Sequence, residues 1–268
     1  MTSVKENIFD LTGQVAFVTG AGQGVGRGIA RLLAAHNASI AVNDYFLDRA
    51  EAVAQELRAE GAKAFAVQAD VGDLAAVEGA FASVRAELGE VSILVNNAGN
   101  AGPDGYGAHK SYFWETGPSD WDKYFRVNLF GVLNCCKAAA PAMVQSEYGR
   151  IITVVSDAGR VGEPKMADYA AAKAGAAGFM RGLAKDLGRF NVTANCISIS
   201  SIEPKVSEEA REQLLKSERV QRQLARYVIR RYGQPEDVAA MALFLASGAA
   251  GWITGQTYPV NGGYSFAT

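Results

Sequence analysis

The residues of this chain whose types and spacing could do chemistry together are Ser156, Tyr169 and Lys173. Tyr169 and Lys173 stand four positions apart, so on a helix they project from one face with Cβ atoms about 5–6 Å apart. A lysine ammonium at that distance favours the tyrosinate and lowers a Tyr pKa from about 10. Tyr169 could then act as a general acid or base, while Ser156 holds the oxygen whose proton moves. Taken alone, the pair also fits an exposed lysine beside a half-buried tyrosine.

Composition excludes several classes of protein. The 268 residues are 49% hydrophobic and carry a net charge of −2 without a basic block, so we expect no nucleic-acid partner. Cys135, Cys136 and Cys196 lack the spacing of metal ligands, and His36 and His109 are the only two histidines. We therefore expect no metal site and three reduced, buried cysteines.

The sequence shows no pattern typical of a signal peptide or of a membrane-spanning segment. The first residues, MTSVKENIFDLTGQ, are polar and lack the apolar core of a signal peptide. No run of residues looks long and apolar enough to cross a bilayer. We expect a cytoplasmic protein with no membrane partner.

The elements that must position these residues alternate between short β-branched runs and amphipathic helical stretches. The first hundred residues contain VAFVTG, GVGRGIARLLAAHN, SIAVND, DRAEAVAQELRAEG, KAFAVQAD, LAAVEGAFASVRAELG and SILVNNAG. This alternation predicts an α/β fold, a Rossmann-type doubly wound, mostly parallel sheet with helices on both faces. Further on, the pattern predicts a helix over 119–145, the strand RIITVVS, a helix over 168–188, the strand NVTANCIS, and a last helix and strand.

No repeat or low-complexity linker interrupts this pattern, so we predict one domain over residues 1–268, with 1–12 as an N-terminal arm. The segment 199–231 stands apart because it is highly charged. Charge alone fits a solvated helical face. Since the segment follows the end of a strand, it also fits a lid over the substrate, which is the interpretation we favour.

A glycine-rich turn follows the first strand and opens the first helix. It runs from Gly20 through Gln23, Gly24 and Val25 to Gly26, with the spacing G-x-x-x-G-x-G. Glycines permit a tight turn and a close approach of the backbone, so a pyrophosphate could lie on the helix N-terminus. The alternative is a plain tight turn. A P-loop is excluded, because no Lys-Ser or Lys-Thr follows the glycines.

Asp44 ends the second strand, eighteen residues after Gly26. A carboxylate there can accept hydrogen bonds from both hydroxyls of an adenosine ribose and repels a 2′-phosphate. The next residues, Tyr45 and Phe46, are not basic, and the nearest arginine is Arg49. The pattern therefore favours NAD over NADP, and the alternative is a strand-end or capping carboxylate.

Two further strand ends carry candidate cofactor contacts. Asp70 and Val71 end the third strand, where a side chain and a backbone N–H could meet the edge of an adenine ring. Asn97, Ala98 and Gly99 end the fourth, where small residues would let cofactor and backbone come close.

Together these motifs resemble the short-chain dehydrogenase/reductase (SDR) family over residues 10–263. The resemblance is carried by TGAGQGVG, Asp70-Val71, NNAG, Asn128 in RVNLFG, Ser156, YAAAK and the C-terminal stretch GQPEDVAAMALFLAS…WITGQTYPVNGG. Each motif alone has low specificity for the family, but their joint order and spacing are highly specific. We expect seven strands in the order 3-2-1-4-5-6-7.

The resemblance implies a role for each matching residue. Tyr169 would be the acid/base, and Lys173 would lower its pKa and hold the nicotinamide ribose. Ser156 would orient the substrate oxygen. Asn128 would kink its helix and anchor a water that relays protons from Lys173. The family is commonly tetrameric, so we expect a homotetramer.

The turn after the sixth strand departs from the family pattern N-x-x-x-P-G-x-(I/V)-x-T. Here Asn195 is followed by CISISSIEP, so both the Pro-Gly pair and the Thr are missing. Ile202 can still offer its backbone to the nicotinamide carboxamide, and Ser200 or Ser201 could replace the lost hydroxyl. Ser200 stands where glycine is usual, which restricts the backbone angles.

The loop 100–118, NAGPDGYGAHKSYFWETGP, is longer than is typical of the family and should border the substrate. Its aromatic residues could line a pocket for an apolar or alicyclic ketone, or pack at a subunit contact. His109 could be a second catalytic group, although the pattern gives this little support. The ring-bearing residues are Tyr106, His109, Tyr112, Phe113 and Trp114.

Three functional hypotheses follow. The first is an NAD(H)-dependent oxidoreductase that interconverts a secondary alcohol and a ketone without a metal. The second is a reductase of 3-oxoacyl thioesters carried on acyl carrier protein or coenzyme A, which predicts an NADPH preference that Asp44 opposes. The third is a dinucleotide-binding protein that has lost turnover, which only the altered 199–204 turn favours.

Overall fold

A computed structural model describes residues 7–99, 111–204 and 206–266. Its centre is a seven-stranded sheet in the order β3-β2-β1-β4-β5-β6-β7 with every neighbouring pair parallel, which confirms the predicted α/β architecture. The strands are β1 Val15–Val18, β2 Ser39–Asp44, β3 Ala64–Gln68, β4 Ile93–Asn96, β5 Gly149–Ser156, β6 Val192–Ile199 and β7 Thr257–Val260.

Helices connect the strands along the chain. They are α1 Gly24–Ala35, α2 Leu47–Ala59, α3 Leu74–Leu88, α4 Pro118–Phe125, α5 Gly131–Gln145, α6 Ala158–Val161, α7 Ala167–Leu187, α8 Glu208–Lys216, α9 Glu218–Leu224 and α10 Pro235–Ala246. Short 3-10 turns occupy Phe113–Glu115, Gly188–Phe190 and Gly248–Ala250.

The central strands are buried on both faces because their side chains alternate between two cores. On β1, Ala16 and Val18 pack with α1, α2 and α10, whereas Val15 and Phe17 pack with α3, α5 and α7. This explains why the strands are continuous apolar runs rather than alternating apolar and polar residues. Because all seven run in parallel, their carboxyl ends meet at one edge of the sheet.

The predicted helix 119–145 is divided in two. A π-helical turn at Arg126–Phe130 separates α4 from α5, and the buried Asn128 lies in its middle. Single π turns inside helices occur often at functional sites.

That stretch also corrects an expectation from the sequence. Pro118–Gln145, 28 residues, is long and apolar enough to cross a membrane by length and composition, with hydropathy 1.3 in its most apolar window. Of that window, 39% is buried. One face of α5 packs against α3, α7, β4 and β5, and core helices of soluble proteins pass the same test of length and composition.

Candidate active site

The glycine-rich turn between β1 and α1 is formed at the glycines that the sequence predicts. Gly20 and Gly24 have left-handed backbones, with φ of 60° and 53°. A Cβ atom on Gly26 would lie 2.3 Å from the carbonyl oxygen of Gly20 and 2.5 Å from Nδ2 of Asn97. Gly26 therefore lets the first turn of α1 pack directly against the ends of β1 and β4.

The N-terminus of α1 has the features of an anion site. Gln23 and Gly24 are exposed, while Val25 packs against the core. Within the described residues, no side chain caps this helix end and its first turn holds no acidic residue. The first N–H groups of a helix carry partial positive charge, so this end fits a phosphate.

Asp44 lies against this turn at the end of β2. The side chain is buried, with Oδ2 accepting from the Gly22 N–H at 3.1 Å and Oδ1 from the Phe46 N–H at 3.1 Å. A carboxylate has about four lone-pair sites, so two remain for other donors. Arg49 stacks on Phe46, with its guanidinium carbon 4.3 Å from the ring centroid.

Asp70 and Val71 lie after β3, where the Asp70 carboxylate and the Val71 carbonyl are hydrogen-bonded within the protein. Oδ1 of Asp70 accepts from the Gly72 N–H at 2.8 Å, and Oδ2 lies 3.1 Å from Nη2 of Arg126. The Val71 carbonyl accepts from Nδ2 of Asn134 at 2.9 Å. Contact of these residues with an adenine ring stays a prediction.

Thr19 and Asn97 tie the end of β1 to the end of β4. The Thr19 hydroxyl oxygen accepts from the N–H groups of Asn97 and Ala98, both at 2.9 Å, and Asn97 Nδ2 donates to the Thr19 carbonyl at 2.9 Å. The sequence predictions omitted Thr19. Its position at a strand end, directly before Gly20, was the available signal.

Gly99 shows why a small residue follows β4. A Cβ atom there would lie 2.8 Å from Oδ1 of Asn128 and 2.9 Å from Nζ of Lys173. A larger side chain at position 99 would therefore collide with Asn128 and Lys173, two of the predicted site residues. The fold brings these three residues together from three separate elements.

Tyr169 and Lys173 are both buried on α7. Nζ of Lys173 lies 6.0 Å from the centroid of the Tyr169 ring and donates to the Val154 carbonyl at 3.0 Å. Burial lowers the pKa of Lys173 to about 8. Tyr124 on α4 packs edge-on against the Tyr169 ring, at 5.8 Å between centroids, and its carbonyl accepts from Nδ2 of Asn128 at 2.9 Å.

Ser156 ends β5, half-buried, opposite Ile199 on β6. Its hydroxyl oxygen accepts from the Ala158 N–H at 3.2 Å. The next residue, Asp157, is buried, and sequence reasoning missed it. Its carboxylate accepts from the Ser198 hydroxyl at 2.8 Å and from Nδ2 of Asn261 at 2.6 Å.

The unusual turn after β6 has both its serine hydroxyls hydrogen-bonded inside the protein. Ser200 is bonded to Tyr227, and Ser201 accepts from Gln223. Ile202 forms an isolated parallel bridge with Gly233. Neither Tyr227 nor Gln223 stood out in the sequence, since they lie in the charged segment without a recognisable motif.

The described part of the aromatic loop is built from stacked rings. Tyr112 stacks on Trp114 at 4.6 Å between centroids, and Phe113 stacks on Trp121 of α4 at 5.4 Å. Trp114 is 76% exposed. These stacks leave large aromatic faces open to solvent. The rest of the loop, residues 100–110, lies outside the described residues.

The cysteines are buried and unpaired, as expected from the sequence. Burial raises the pKa of Cys136 and of Cys196 to about 12, so neither is a ready nucleophile. Among the residues that the structure describes, no group of three or more His, Cys, Asp or Glu could hold a metal ion. Tyr106 and His109 lie outside those residues.

Comparison with known proteins supports one family. A family model described as enoyl-(acyl carrier protein) reductase matches residues 20–265. The 3-oxoacyl-(acyl-carrier-protein) reductase of Staphylococcus aureus is 36% identical over 253 residues, which are 92% of this chain and 96% of the relative.

Two solved structures show how the same fold is used with different cofactors. A gluconate 5-dehydrogenase from Burkholderia cenocepacia, in complex with NADP and tartrate, has a TM-score of 0.85 and 33% identity, covering 97% of this chain and 98% of its own. A 7α-hydroxysteroid dehydrogenase, in complex with NADH and 7-oxo glycochenodeoxycholic acid, has a TM-score of 0.84 and 34% identity, covering 95% of both chains.

Proposed function

Because the chain belongs to the short-chain dehydrogenase/reductase family, we propose that it is an NAD(H)-dependent oxidoreductase that interconverts a secondary alcohol and a ketone. The observation that carries the proposal is the convergence of Asn128 and the buried Lys173 beside Gly99, with Tyr169 on the same helix as Lys173. The residues at α1 and Asp44 fit the phosphate and ribose of a dinucleotide.

In the proposed reaction the bound nicotinamide supplies or accepts the hydride. Tyr169 gives its phenolic proton to the carbonyl oxygen in reduction and takes the alcohol proton in oxidation. Lys173 favours the tyrosinate and Ser156 orients the substrate oxygen by hydrogen bonding. Asn128, whose Oδ1 and the Lys173 Nζ both approach Gly99, helps to return the proton from solvent.

The preference for NAD rests on Asp44. The 2′-phosphate of NADP would meet a buried carboxylate that already lies against the glycine-rich turn, and like charges in such a place repel. Arg49, the nearest cation, is stacked on Phe46. The related structures hold NADP in one case and NADH in the other, so the choice is made by local residues rather than by the fold.

The test is a titration of NADH and NADPH followed by assays on a panel of ketones and secondary alcohols, with wild type and Tyr169→Phe. We expect tighter NADH binding. In the variant, turnover should fall by about 10²–10⁴-fold, the usual contribution of a general acid/base, with dinucleotide affinity kept. Turnover that does not depend on Tyr169 would contradict the proposed role, and tighter NADPH binding would contradict the Asp44 argument.

A second candidate is the reduction of 3-oxoacyl thioesters, which the name of the Staphylococcus relative favours. Such a substrate is also a ketone, so the same residues would serve. The candidates differ in the substrate's carrier and in the cofactor. Acetoacetyl-coenzyme A with NADPH therefore belongs in the panel, and a clear excess of its kcat/KM over simple ketones would favour this second function.

A dinucleotide-binding protein without turnover is the remaining alternative. It predicts that wild type and Tyr169→Phe bind NADH equally and that neither reduces any compound of the panel. The altered 199–204 turn is its only support.

We further propose that the protein is a cytoplasmic homotetramer. We also propose that its segment 199–231 acts as a lid over the substrate. In support of the lid, most charged side chains of α8 and α9 are exposed, while Val220 and Leu224 of α9 pack with Tyr232 in a small buried cluster separate from the two main cores. The stacked aromatic residues 112–114 suit an apolar or alicyclic substrate.

A further inference from the structure

The turn after β6 is held by side chains from a segment more than twenty residues downstream. The phenolic oxygen of Tyr227 lies 2.6 Å from the Ser200 hydroxyl oxygen and accepts from the Ser201 N–H at 3.2 Å. Nε2 of Gln223 donates to the Ser201 hydroxyl at 2.8 Å. The Tyr227 hydroxyl is therefore shared by two consecutive residues of this turn.

The backbone of the turn has one fixed edge and one open edge. The Gly233 N–H donates to the Ser201 carbonyl at 3.1 Å, and the Glu203 N–H donates to the Gly233 carbonyl at 2.9 Å. In a parallel bridge of this kind the bonds use the peptide groups on either side of Ile202, so its own N–H and C=O point away from Gly233. Within the described residues neither group has a hydrogen-bond partner, so both can bind a ligand on the other side.

A cavity of about 320 Å³ lies beside the turn. Its wall includes Ser200, Ser201 and Ile202 on one side and Tyr227 and Gly262 on another. Protein interiors hold their parts in place mainly by close packing. A turn that borders an open cavity lacks that support on one side, so its hydrogen bonds have more influence on where it lies.

Tyr227 is well placed to give this support. Its side chain is 4% exposed, and its ring contacts the Tyr264 ring at 5.2 Å between centroids. The ring is thus fixed by packing, and the hydroxyl has a defined position. Ser200 provides the hydroxyl partner at the position where the family pattern has glycine.

We propose that Tyr227 is a positioning residue that holds the Ser200–Ser201 turn and thereby sets the Ile202 peptide groups for the nicotinamide carboxamide. The inference rests on the proposed function, because it requires a dinucleotide at the site. It explains how a chain without the Pro-Gly pair can keep this turn in place.

The test compares two ligands on Tyr227→Phe, which removes only the hydroxyl. Isothermal titration calorimetry with NADH and with ADP-ribose separates the two halves of the cofactor. Since the turn should meet only the nicotinamide half, we expect NADH to bind about three- to tenfold more weakly, the size of one buried hydrogen bond, with ADP-ribose affinity unchanged.

Tyr258→Phe is the matched control, since Tyr258 is half-buried on β7, the strand next to β6, and pairs with Ile197 rather than with the turn. It should leave both affinities unchanged. A double-mutant cycle with Ser200→Ala should show that the losses of NADH affinity are not additive, because both changes break the same contact.

Three outcomes would overturn the proposal. Wild type that binds neither NADH nor NADPH contradicts the proposed function as well. Wild type that binds NADH while Tyr227→Phe binds it equally well contradicts this inference alone. Equal losses of NADH and ADP-ribose affinity would show a general loss of structure rather than a local effect on the turn.

Discussion

The titratable amine of Lys173 is buried in the folded protein. Because burial changes its pKa, the stability of the protein depends on pH. The pKa of Lys173 falls from 10.5 to about 8 because the charged form loses water. The folded state then releases its proton at lower pH than the unfolded state. Between these two values the unfolded chain binds more protons, so the free energy of unfolding rises with pH.

We predict that wild type gains stability relative to Lys173→Met between pH 8 and pH 10.5, by on the order of 3 kcal/mol. Chemical denaturation of both proteins without cofactor, at several pH values, measures the difference. The subtraction removes the titration of all other groups. A difference that stays flat over this range would mean that Lys173 keeps an ordinary pKa in the folded protein.

At the scale of elements, Asp157 joins β5, β6 and the C-terminal tail at the edge of the sheet where Ser156 lies. Its carboxylate accepts from Ser198 on β6, from Asn261 after β7, and from Nη1 of Arg160 at 3.1 Å. Arg160 in turn donates to the Phe266 carbonyl at 2.8 Å. One buried carboxylate therefore fixes the relative positions of three segments.

We predict that Asp157→Ala lowers the free energy of unfolding by about 3 kcal/mol, because it leaves the largely buried guanidinium of Arg160 without its charge partner and removes an acceptor of Ser198 and Asn261. Urea denaturation followed by circular dichroism measures this. Glu212→Ala on α8 is the control, since Glu212 forms an exposed pair with Lys216 at 3.3 Å and should change stability by less than about 0.5 kcal/mol. Similar effects of the two changes would contradict the assigned role of Asp157.

Some helices and strands could be predicted from local sequence patterns, and others could not. All seven strands and helices α1, α2, α3, α7 and α10 were predictable, because apolar runs, glycines and charges repeat with the period of each structure. The π turn at Arg126–Phe130 lies at Asn128, where the family resemblance implied a kink, but no local pattern in the sequence predicts its form. The charge of the segment 199–231 fits a solvated helical face, but its pattern does not predict where α8 and α9 begin and end.

At the scale of the whole molecule, Trp252 is a candidate for a subunit contact in the proposed tetramer. It lies in the segment before β7 and is 99% exposed. Aromatic residues such as tryptophan are enriched at protein–protein interfaces. We predict that Trp252→Arg lowers the mass measured by light scattering after size exclusion, with the melting temperature of the remaining monomer or dimer little changed.

Ile8→Arg is a suitable comparison, because Ile8 is also exposed, at 59%, but lies near the N-terminus. It should leave the mass unchanged. A wild type that is monomeric at micromolar concentration would contradict the tetramer outright. A tetramer that survives Trp252→Arg would locate the contact elsewhere.

The sequence by itself determined the fold and indicated which groups are proposed to react. Alternating apolar runs and helices specify a doubly wound sheet, the glycine spacing specifies a tight turn, and Tyr169 and Lys173 are neighbours on any helix. Such features depend on residues close together in the chain, so their physical consequences can be worked out from local geometry.

Only the tertiary structure decided which distant residues support that site. Lys173 and Asn128 meet at Gly99, Asp157 binds Asn261, and Tyr227 holds Ser200. These contacts join residues tens of positions apart, whose approach depends on how the sheet and loops fold in space. A hydrogen bond forms only within a few tenths of an ångström of its preferred length, and no local pattern in the sequence carries that information.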